Sequence, residues 1–164
     1  MGIYQDIQKT TLIIDGAMGT MIQRHTLTEE DFRKDRFPDH PSPLKGNNDL
    51  LCITQPAIVT GIHLQYLEAG ADIVETNTFS STSIAMADYD MQDLAYELNV
   101  AAAKCAREAI TQYKSKHPNA TEKYIAGAIG PLNKTLSLSP DVNNPGFRAV
   151  TFDEVVIAYT EQIR

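Results

Sequence analysis

The feature that most constrains the fold of this chain is an apolar run that breaks into a glycine-containing loop near the N-terminus. Residues 12–14 are Leu-Ile-Ile, a continuous apolar stretch typical of a strand covered on both faces. Asp15 follows at the expected strand end, and Gly16 and Gly19 allow the backbone to approach a small ligand closely. Met18 begins a predicted helix whose free N–H groups face that loop. Alone, this pattern is equally typical of a plain connector.

Two further segments follow the same plan. Residues 71–79 begin with apolar residues and finish in the polar string Glu75-Thr-Asn-Thr, and residues 124–131 lead into Gly130-Pro-Leu-Asn. In parallel α/β folds, ligands bind at the carboxyl ends of the strands. Three strands that end in polar or glycine-rich residues therefore predict one shared site.

Predicted helices separate and follow these strands. Residues 54–68 carry one apolar face, with Thr54 as the expected N-cap and Gly70 as the left-handed stop. A longer helix is predicted to begin at residue 90 or 91 and to end near residue 116, and a capping box at residues 151–154 opens the last one. The intervening polar stretch, residues 25–49, has the length of a functional or mobile loop.

Alternating strands and helices indicate an α/β fold with a parallel sheet and right-handed crossovers. A (β/α)8 TIM barrel takes about 250 residues, so three units cannot close one. The glycine pattern is not that of a dinucleotide-binding fold, and Glu75 lies too far along the chain to be its ribose-binding acid. We therefore expect residues 1–164 to be the first three or so βα units of a truncated barrel, whose other strands lie beyond residue 164.

Composition excludes several classes of function. A formal net charge of −7 without a Lys/Arg cluster argues against a nucleic-acid partner. No apolar run approaches the roughly 20 residues that span a membrane, and no secretion signal precedes the first strand, so we expect a cytoplasmic protein. The two cysteines, Cys52 and Cys105, lack metal-ligand spacing and lie in apolar surroundings, which predicts buried packing residues.

Four strings, in this order, resemble the homocysteine-binding module of cobalamin-dependent methionine synthase. They are Asp15-Gly-Ala-Met-Gly-Thr, Gly46-Asn-Asn-Asp-Leu-Leu, Glu75-Thr-Asn-Thr-Phe and Gly130-Pro-Leu-Asn. The first is shared widely among homocysteine methyltransferases. The second, together with Ser-Pro-Asp-Val-Asn at residues 139–143, resembles the cobalamin-dependent type, and the similarity spans nearly the whole chain.

The resemblance implies a methyltransferase that gives methionine by moving a methyl group from methylcobalamin, originally from methyltetrahydrofolate, to homocysteine thiolate. In this family a zinc ion holds the substrate thiol as thiolate, the nucleophilic form. Its ligands are three cysteines on later strands, which neither Cys52 nor Cys105 matches. The resemblance therefore implies zinc ligands outside this chain, partner modules for folate and cobalamin in the same polypeptide, and no activity for this segment alone.

The resemblance implies that this segment orients the substrate. By the resemblance and by charge, Asp15 and Glu75 are expected to meet the substrate ammonium, and the backbone of residues 16–20 its carboxylate. The full set of candidate substrate-binding residues is Asp15, Gly16, Ala17, Met18, Gly19, Thr20, Glu75, Asn77, Thr78 and Asn133. The alternatives are structural: Asp15 capping a turn, Glu75 paired with a lysine, and both asparagines shaping loops. His63, on a predicted helix, is expected to be a satisfied structural residue.

Three other functions stay open. A zinc enzyme of the same family could use betaine or S-methylmethionine as the methyl donor. A half-barrel could bind an amino acid or a partner chain without catalysis, and its strand edges would then need a cover. A phosphate-binding barrel is the third, although no basic residue lies within the strand-end motifs.

Overall fold

The computed structural model describes residues 2–164, and its sheet is small and parallel. Strand β1 (Ile73–Glu75) pairs with β2 (Tyr124–Ala126), with Ile73 opposite Tyr124 and Glu75 opposite Ala126. A single parallel bridge joins Ile14 to Ile73 on the other side of β1. The three segments therefore lie side by side in chain order, as consecutive βα units do.

The first predicted strand is only partly formed. Residues 13–15 exchange backbone hydrogen bonds with residues 72 and 73, but one bridge replaces the expected strand. The prediction that this run is covered on both faces was wrong, since Ile13 is 59% exposed and Ile14 is 50% exposed. β1 lies along one edge of the segment at residues 12–14. Within residues 2–164, the side chains of Ile13 and Ile14 are only partly covered.

Helices make up most of the rest. Those described are α1 (Ile3–Asp6), α2 (Met18–Gln23), α3 (Glu29–Arg33), α4 (Leu51–Thr54), α5 (Pro56–Glu68), α6 (Ser83–Met86), α7 (Ala95–Lys116) and α8 (Phe152–Ile163). Short 3-10 turns occupy Lys34–Arg36, Asn48–Leu50, Ala87–Tyr89 and Gln92–Leu94. The capping box of α8 forms as predicted, with the Thr151 hydroxyl and the Glu154 carboxylate bonded reciprocally to backbone N–H groups.

The bounds of the two long helices correct the sequence predictions in part. Thr54 does not cap α5, because it ends α4 and its hydroxyl donates to the Leu50 carbonyl, whereas Gln55 is the N-cap. Gly70 has φ +107° and confirms the predicted left-handed stop. α7 begins later than predicted because Asp90 has φ 56°, which reverses the chain and cannot continue a helix.

Two buried clusters hold these elements together. The larger lies among α2, α4, α5, α6 and α7, with Leu50, Leu51, Ile62, Met86 and Leu98 at its centre. The smaller joins α5 and α7 to β1 through Leu67, Val74, Ala106, Ala109 and Ile110. Cys52 and Cys105 are both buried free thiols within the larger cluster, which confirms their prediction as packing residues.

The long polar stretch is ordered rather than loose. It contains α3, which the sequence prediction missed, although Thr28 and Asp31 form a capping box at its start. The Arg33 guanidinium donates to the carbonyls of His40 (2.6 Å) and Ser42 (3.0 Å) and pairs with Glu29 at 2.7 Å. One side chain thus fastens the chain that follows α3.

The helices named above lie within residues 2–164. In that part of the chain no single helix is long and apolar enough to cross a bilayer. Only Asn48–Thr54 and Pro56–Glu68 taken together reach the length and composition, and they meet at a bend of 111°.

Candidate functional site: a cleft at the strand ends

A cleft of about 340 Å3 opens where the three parallel segments end. We call it the strand-end cleft; it is lined by residues 15–19, 46–49, 75–77, 79–80, 89 and 128. The glycine loop and the end of β1 thus meet at one place, as the strand-end pattern predicted, and the Gly46-Asn-Asn-Asp string, which that pattern did not include, joins them. The third strand contributes only Ala128, two residues beyond β2.

Asp15 and Glu75 are neighbours in this cleft but have different surroundings. Asp15 Oδ1 accepts a hydrogen bond from the Glu75 backbone N–H at 2.9 Å, and the Asp15 side chain is only 4% exposed. The Glu75 residue is exposed, and its carboxylate forms no hydrogen bond or ion pair with residues 2–164. Asp15 therefore anchors the end of β1, while Glu75 presents an uncompensated negative charge to the cleft.

The left-handed turn of the glycine loop is made by a residue other than glycine. The left-handed residue is Ala17, at φ 46° and ψ 34°, and neither Gly16 nor Gly19 has a positive φ. A side chain at Gly16 would meet no atom within 4 Å, so space remains beside the backbone there. Ala17 precedes the first turn of α2, whose N–H groups have no helical partner.

Asp49 lies in the same cleft, although it is not among the predicted substrate-binding residues. Its Oδ2 accepts hydrogen bonds from the Ser80 N–H at 2.6 Å and the Ser81 hydroxyl at 2.8 Å. Burial raises the pKa of the Asp49 carboxyl, and these two hydrogen bonds only partly oppose it. The available signal was the Gly46-Asn-Asn-Asp string, which the resemblance singled out without assigning it a role.

Asn77 lines the cleft with its amide nitrogen already engaged. That nitrogen donates to the Asn48 carbonyl at 2.8 Å and lies 3.5 Å from the Cys52 sulfur. The Cys52 thiol in turn donates to the Asn77 carbonyl at 3.6 Å. Because of these contacts Asn77 ties β1 to the 3-10 turn at residues 48–50, and its side-chain oxygen is the atom left for a ligand.

Three of the predicted residues lie outside the lining. The Thr78 hydroxyl donates to the Ala128 carbonyl at 2.8 Å, which links the ends of β1 and β2. Thr20 is exposed on α2. Asn133 donates to the Asp88 carboxylate at 2.6 Å and so fastens its own loop to the turn that carries Tyr89. The side-chain contacts of Thr78 and Asn133 therefore hold the structure around the cleft.

Gly130 is required by a close approach between two of the predicted motifs. A Cβ atom built there would lie 1.9 Å from the Phe79 carbonyl oxygen and 2.8 Å from its carbon. Phe79 follows β1 and lines the cleft. The glycine in Gly130-Pro-Leu-Asn thus lets the third segment pass directly against the rim of the site.

His63 lies behind Asp15 on α5 and differs from its prediction as a satisfied structural residue. Its side chain is fully buried, and neither ring nitrogen has a hydrogen-bond partner in the described chain. Its Nδ1 lies 3.7 Å from Asp15 Oδ2, just beyond hydrogen-bond range. No sequence signal connected this helix position to the strand end.

The charge of the cleft is uniformly acidic, since its charged lining residues are Asp15, Asp49 and Glu75. A site with three carboxylates and no lining Lys or Arg attracts cations and disfavours a phosphate. In the part of the chain that the structure describes, no group of three His, Cys, Asp or Glu side chains could hold a metal ion. The residues present therefore do not fit a zinc site.

Comparison with known proteins decides the family. The family model for homocysteine S-methyltransferase matches residues 12–164, which is nearly the whole chain. This chain belongs to the homocysteine S-methyltransferase family. The matched region includes every residue of the strand-end cleft, so the cleft is part of what the homocysteine S-methyltransferase model describes.

Solved structures show the corresponding fold. The metallated form of the homocysteine methyltransferase MmuM from Escherichia coli matches with a TM-score of 0.62 at 22% identity, over 77% of this chain and 40% of that one. The oxidized form of the same enzyme matches with a TM-score of 0.61 at 23% identity, over 76% and 39%. The chain thus spans about two fifths of the length of this homocysteine S-methyltransferase and has the fold of that part.

Proposed function

We propose that this chain forms the amino-acid-binding part of a methyltransferase that methylates homocysteine to methionine. The observation that carries the proposal is the unpaired carboxylate of Glu75, which lies beside Asp15 in the acidic strand-end cleft. An ammonium group neutralises that charge and can donate hydrogen bonds to both carboxylates. Family membership supports homocysteine as the amino acid.

The glycine loop supplies the other end of the substrate. The backbone N–H groups of residues 16–20, at the start of α2, are the proposed partners of the homocysteine carboxylate. Asn77, through its side-chain oxygen, is the proposed additional ligand, and Thr78 and Asn133 hold the rim through the contacts described above. The chain then orients the substrate and leaves activation of the thiol to other residues.

For that activation we propose a zinc ion held by cysteines outside residues 1–164, because the described residues do not fit one. Residues 1–164 are then the N-terminal portion of a (β/α)8 barrel, which further strands close over Ile13 and Ile14. The length relation to MmuM supports this arrangement.

As methyl donor we propose methylcobalamin, served by folate and cobalamin modules of the same cytoplasmic polypeptide. The support is that the string resembling the cobalamin-dependent type, residues 46–49, lines the strand-end cleft. Methionine formation by the zinc-loaded gene product, supplied in turn with methylcobalamin, betaine and S-methylmethionine, tests this part. We expect methionine to form when methylcobalamin is the donor supplied. Methionine formation with betaine or S-methylmethionine as the donor would contradict the proposed donor.

The binding role is tested by calorimetric titration of the zinc-loaded gene product. Homocysteine is compared with 4-mercaptobutanoate, which has the same thiol and carboxylate but no ammonium. Glu75→Gln should weaken homocysteine about tenfold, or about 1.4 kcal/mol, and leave 4-mercaptobutanoate unchanged. Glu30→Gln, at an exposed position on α3 away from the cleft, is the matched control. An equal loss of affinity for both ligands would show that Glu75 does not bind the ammonium group.

A further inference from the structure

The histidine behind the site has an unusual environment. His63 is fully buried on α5, and both its ring nitrogens lack a hydrogen-bond partner within residues 2–164. An unpaired polar group in the interior carries a free-energy penalty that an aliphatic side chain of similar size avoids. A hydrogen bond from the imidazole to a neighbouring group would remove part of this penalty.

The neighbouring group is the carboxylate of Asp15. His63 Nδ1 lies 3.7 Å from Asp15 Oδ2, and the Asp15 side chain is itself 4% exposed. Because both side chains are almost fully buried, a hydrogen bond from an N–H to this carboxylate is electrostatically stronger than the same bond in water. A displacement of a few tenths of an ångström brings the pair within hydrogen-bond distance.

Asp15 passes this contact on to the strand end. Its second oxygen, Oδ1, accepts from the Glu75 backbone N–H at 2.9 Å. A line of three residues therefore runs from the core, through Asp15, to the backbone of Glu75, whose side chain lines the strand-end cleft. Rotation of the Asp15 carboxylate would disturb both ends of this line.

We propose that His63 is a positioning residue of the ammonium subsite, donating its Nδ1 proton to Asp15 and fixing the orientation of that carboxylate. This inference rests on the proposed function, since it concerns how the chain recognises the homocysteine ammonium. His63 itself touches no substrate and lies outside the lining of the cleft. It acts through Asp15, and through Asp15 on Glu75.

The test uses the zinc-loaded gene product and the two ligands named above. His63→Leu removes the donor, and His63→Asn keeps an N–H near the position of Nδ1. We expect His63→Leu to weaken homocysteine about tenfold and 4-mercaptobutanoate less than twofold, and His63→Asn to retain most of the affinity. A purely structural role would weaken both ligands equally, and that result would overturn the inference.

Wild-type protein gives a second readout if the leucine variant does not fold. In its 15N spectrum, the Nδ1 resonance of His63, assigned by its loss in His63→Asn, should shift on homocysteine binding and not on 4-mercaptobutanoate binding. An unmoved resonance would overturn the positioning role while homocysteine binding still stands. If the wild-type protein binds neither ligand, the proposed function and this inference both fall.

Discussion

Lys123 donates to Asp72 at 2.8 Å, and this pair lies at the end of the sheet opposite the strand-end cleft. Asp72 immediately precedes β1 and Lys123 immediately precedes β2. The other Asp72 oxygen accepts from the Ile13 N–H at 3.1 Å. One carboxylate therefore holds all three parallel segments where they enter the sheet.

Replacing Lys123 by methionine should destabilise the chain by about 1–2 kcal/mol. The Lys123 side chain is 6% exposed and that of Asp72 19%, so the substitution leaves a partly buried carboxylate without its charged partner. The free energy of unfolding, measured in urea at pH 7, gives the value. Lys116→Met, at the exposed last turn of α7, is the control and should change it little.

The same pair predicts a pH dependence. Burial alone would raise the pKa of Asp72, but hydrogen bonds from Lys123 and Ile13 and the charge of Lys123 hold it below its ordinary value. A carboxyl with a lowered folded-state pKa contributes stability that is present above about pH 4 and is lost as the pH falls further. Urea titrations between pH 3 and pH 6 should show this loss in wild type and a smaller one in Lys123→Met. Parallel curves would contradict it.

Gly130→Ala should destabilise the chain by about 1–3 kcal/mol or prevent folding. The added methyl group would lie 1.9 Å from the Phe79 carbonyl oxygen, so one of the two segments must move. Gly127→Ala is the matched control, because a Cβ atom there meets nothing within 4 Å. Thermal unfolding followed by circular dichroism compares the two. Equal midpoints would mean that the close approach is not maintained in solution.

Arg33→Lys should lower the free energy of unfolding by about 2 kcal/mol, although the substitution keeps the positive charge. A lysine cannot reproduce the fork that bonds Glu29, His40 and Ser42 at once. Hydrogen exchange should speed up between residues 34 and 45 in particular. Arg24→Lys serves as the control, since the Arg24 side chain forms no hydrogen bond or ion pair with the described residues. Unchanged exchange in the arginine-33 variant would refute the fastening role.

Ala17→Gly should stabilise the chain by about 1 kcal/mol. Ala17 has φ 46°, a left-handed conformation that glycine adopts without the steric penalty of a Cβ atom. Ala69→Gly, at φ −76° after α5, relieves no strain and should lower stability instead. Opposite signs in the two melting shifts are the expected outcome. A loss in both variants would show that the loop relaxes in solution.

The sequence predicted what depends on local patterns. The left-handed Gly70 and the capping box of α8 follow from residues near one another in the chain, and the structure confirms them. Of the three predicted strands, the second and third form β1 and β2, whereas the first forms only a bridge. α3 was missed because its capping box carries Asp31 in place of the usual Glu or Gln. The predicted start of α7 was too early because no sequence pattern indicates that Asp90 adopts a left-handed backbone conformation.

Two residues of the strand-end cleft, Asp15 and Glu75, were predicted because each lies directly at the end of a predicted strand. Asp15 and Glu75 meet in the cleft because parallel strands place their carboxyl ends at one edge. Asp49 and His63 were not assigned to the site, since each reaches it through contacts with residues 31 or more positions away in the chain. Such long-range packing leaves no periodic trace in a single sequence.

The chain order of the cleft has a consequence for protein synthesis. Its lining begins at Asp15 and is completed only by Ala128, and β1 pairs with segments more than 50 residues away on both sides. A nascent chain can pack α5 well before β2 has left the ribosome, but it has no third segment to close the cleft. A ligand that binds only the complete cleft therefore cannot assist the early steps of folding during translation. If the cleft binds homocysteine as proposed, ribosome-bound chains shorter than about 130 residues should not bind it.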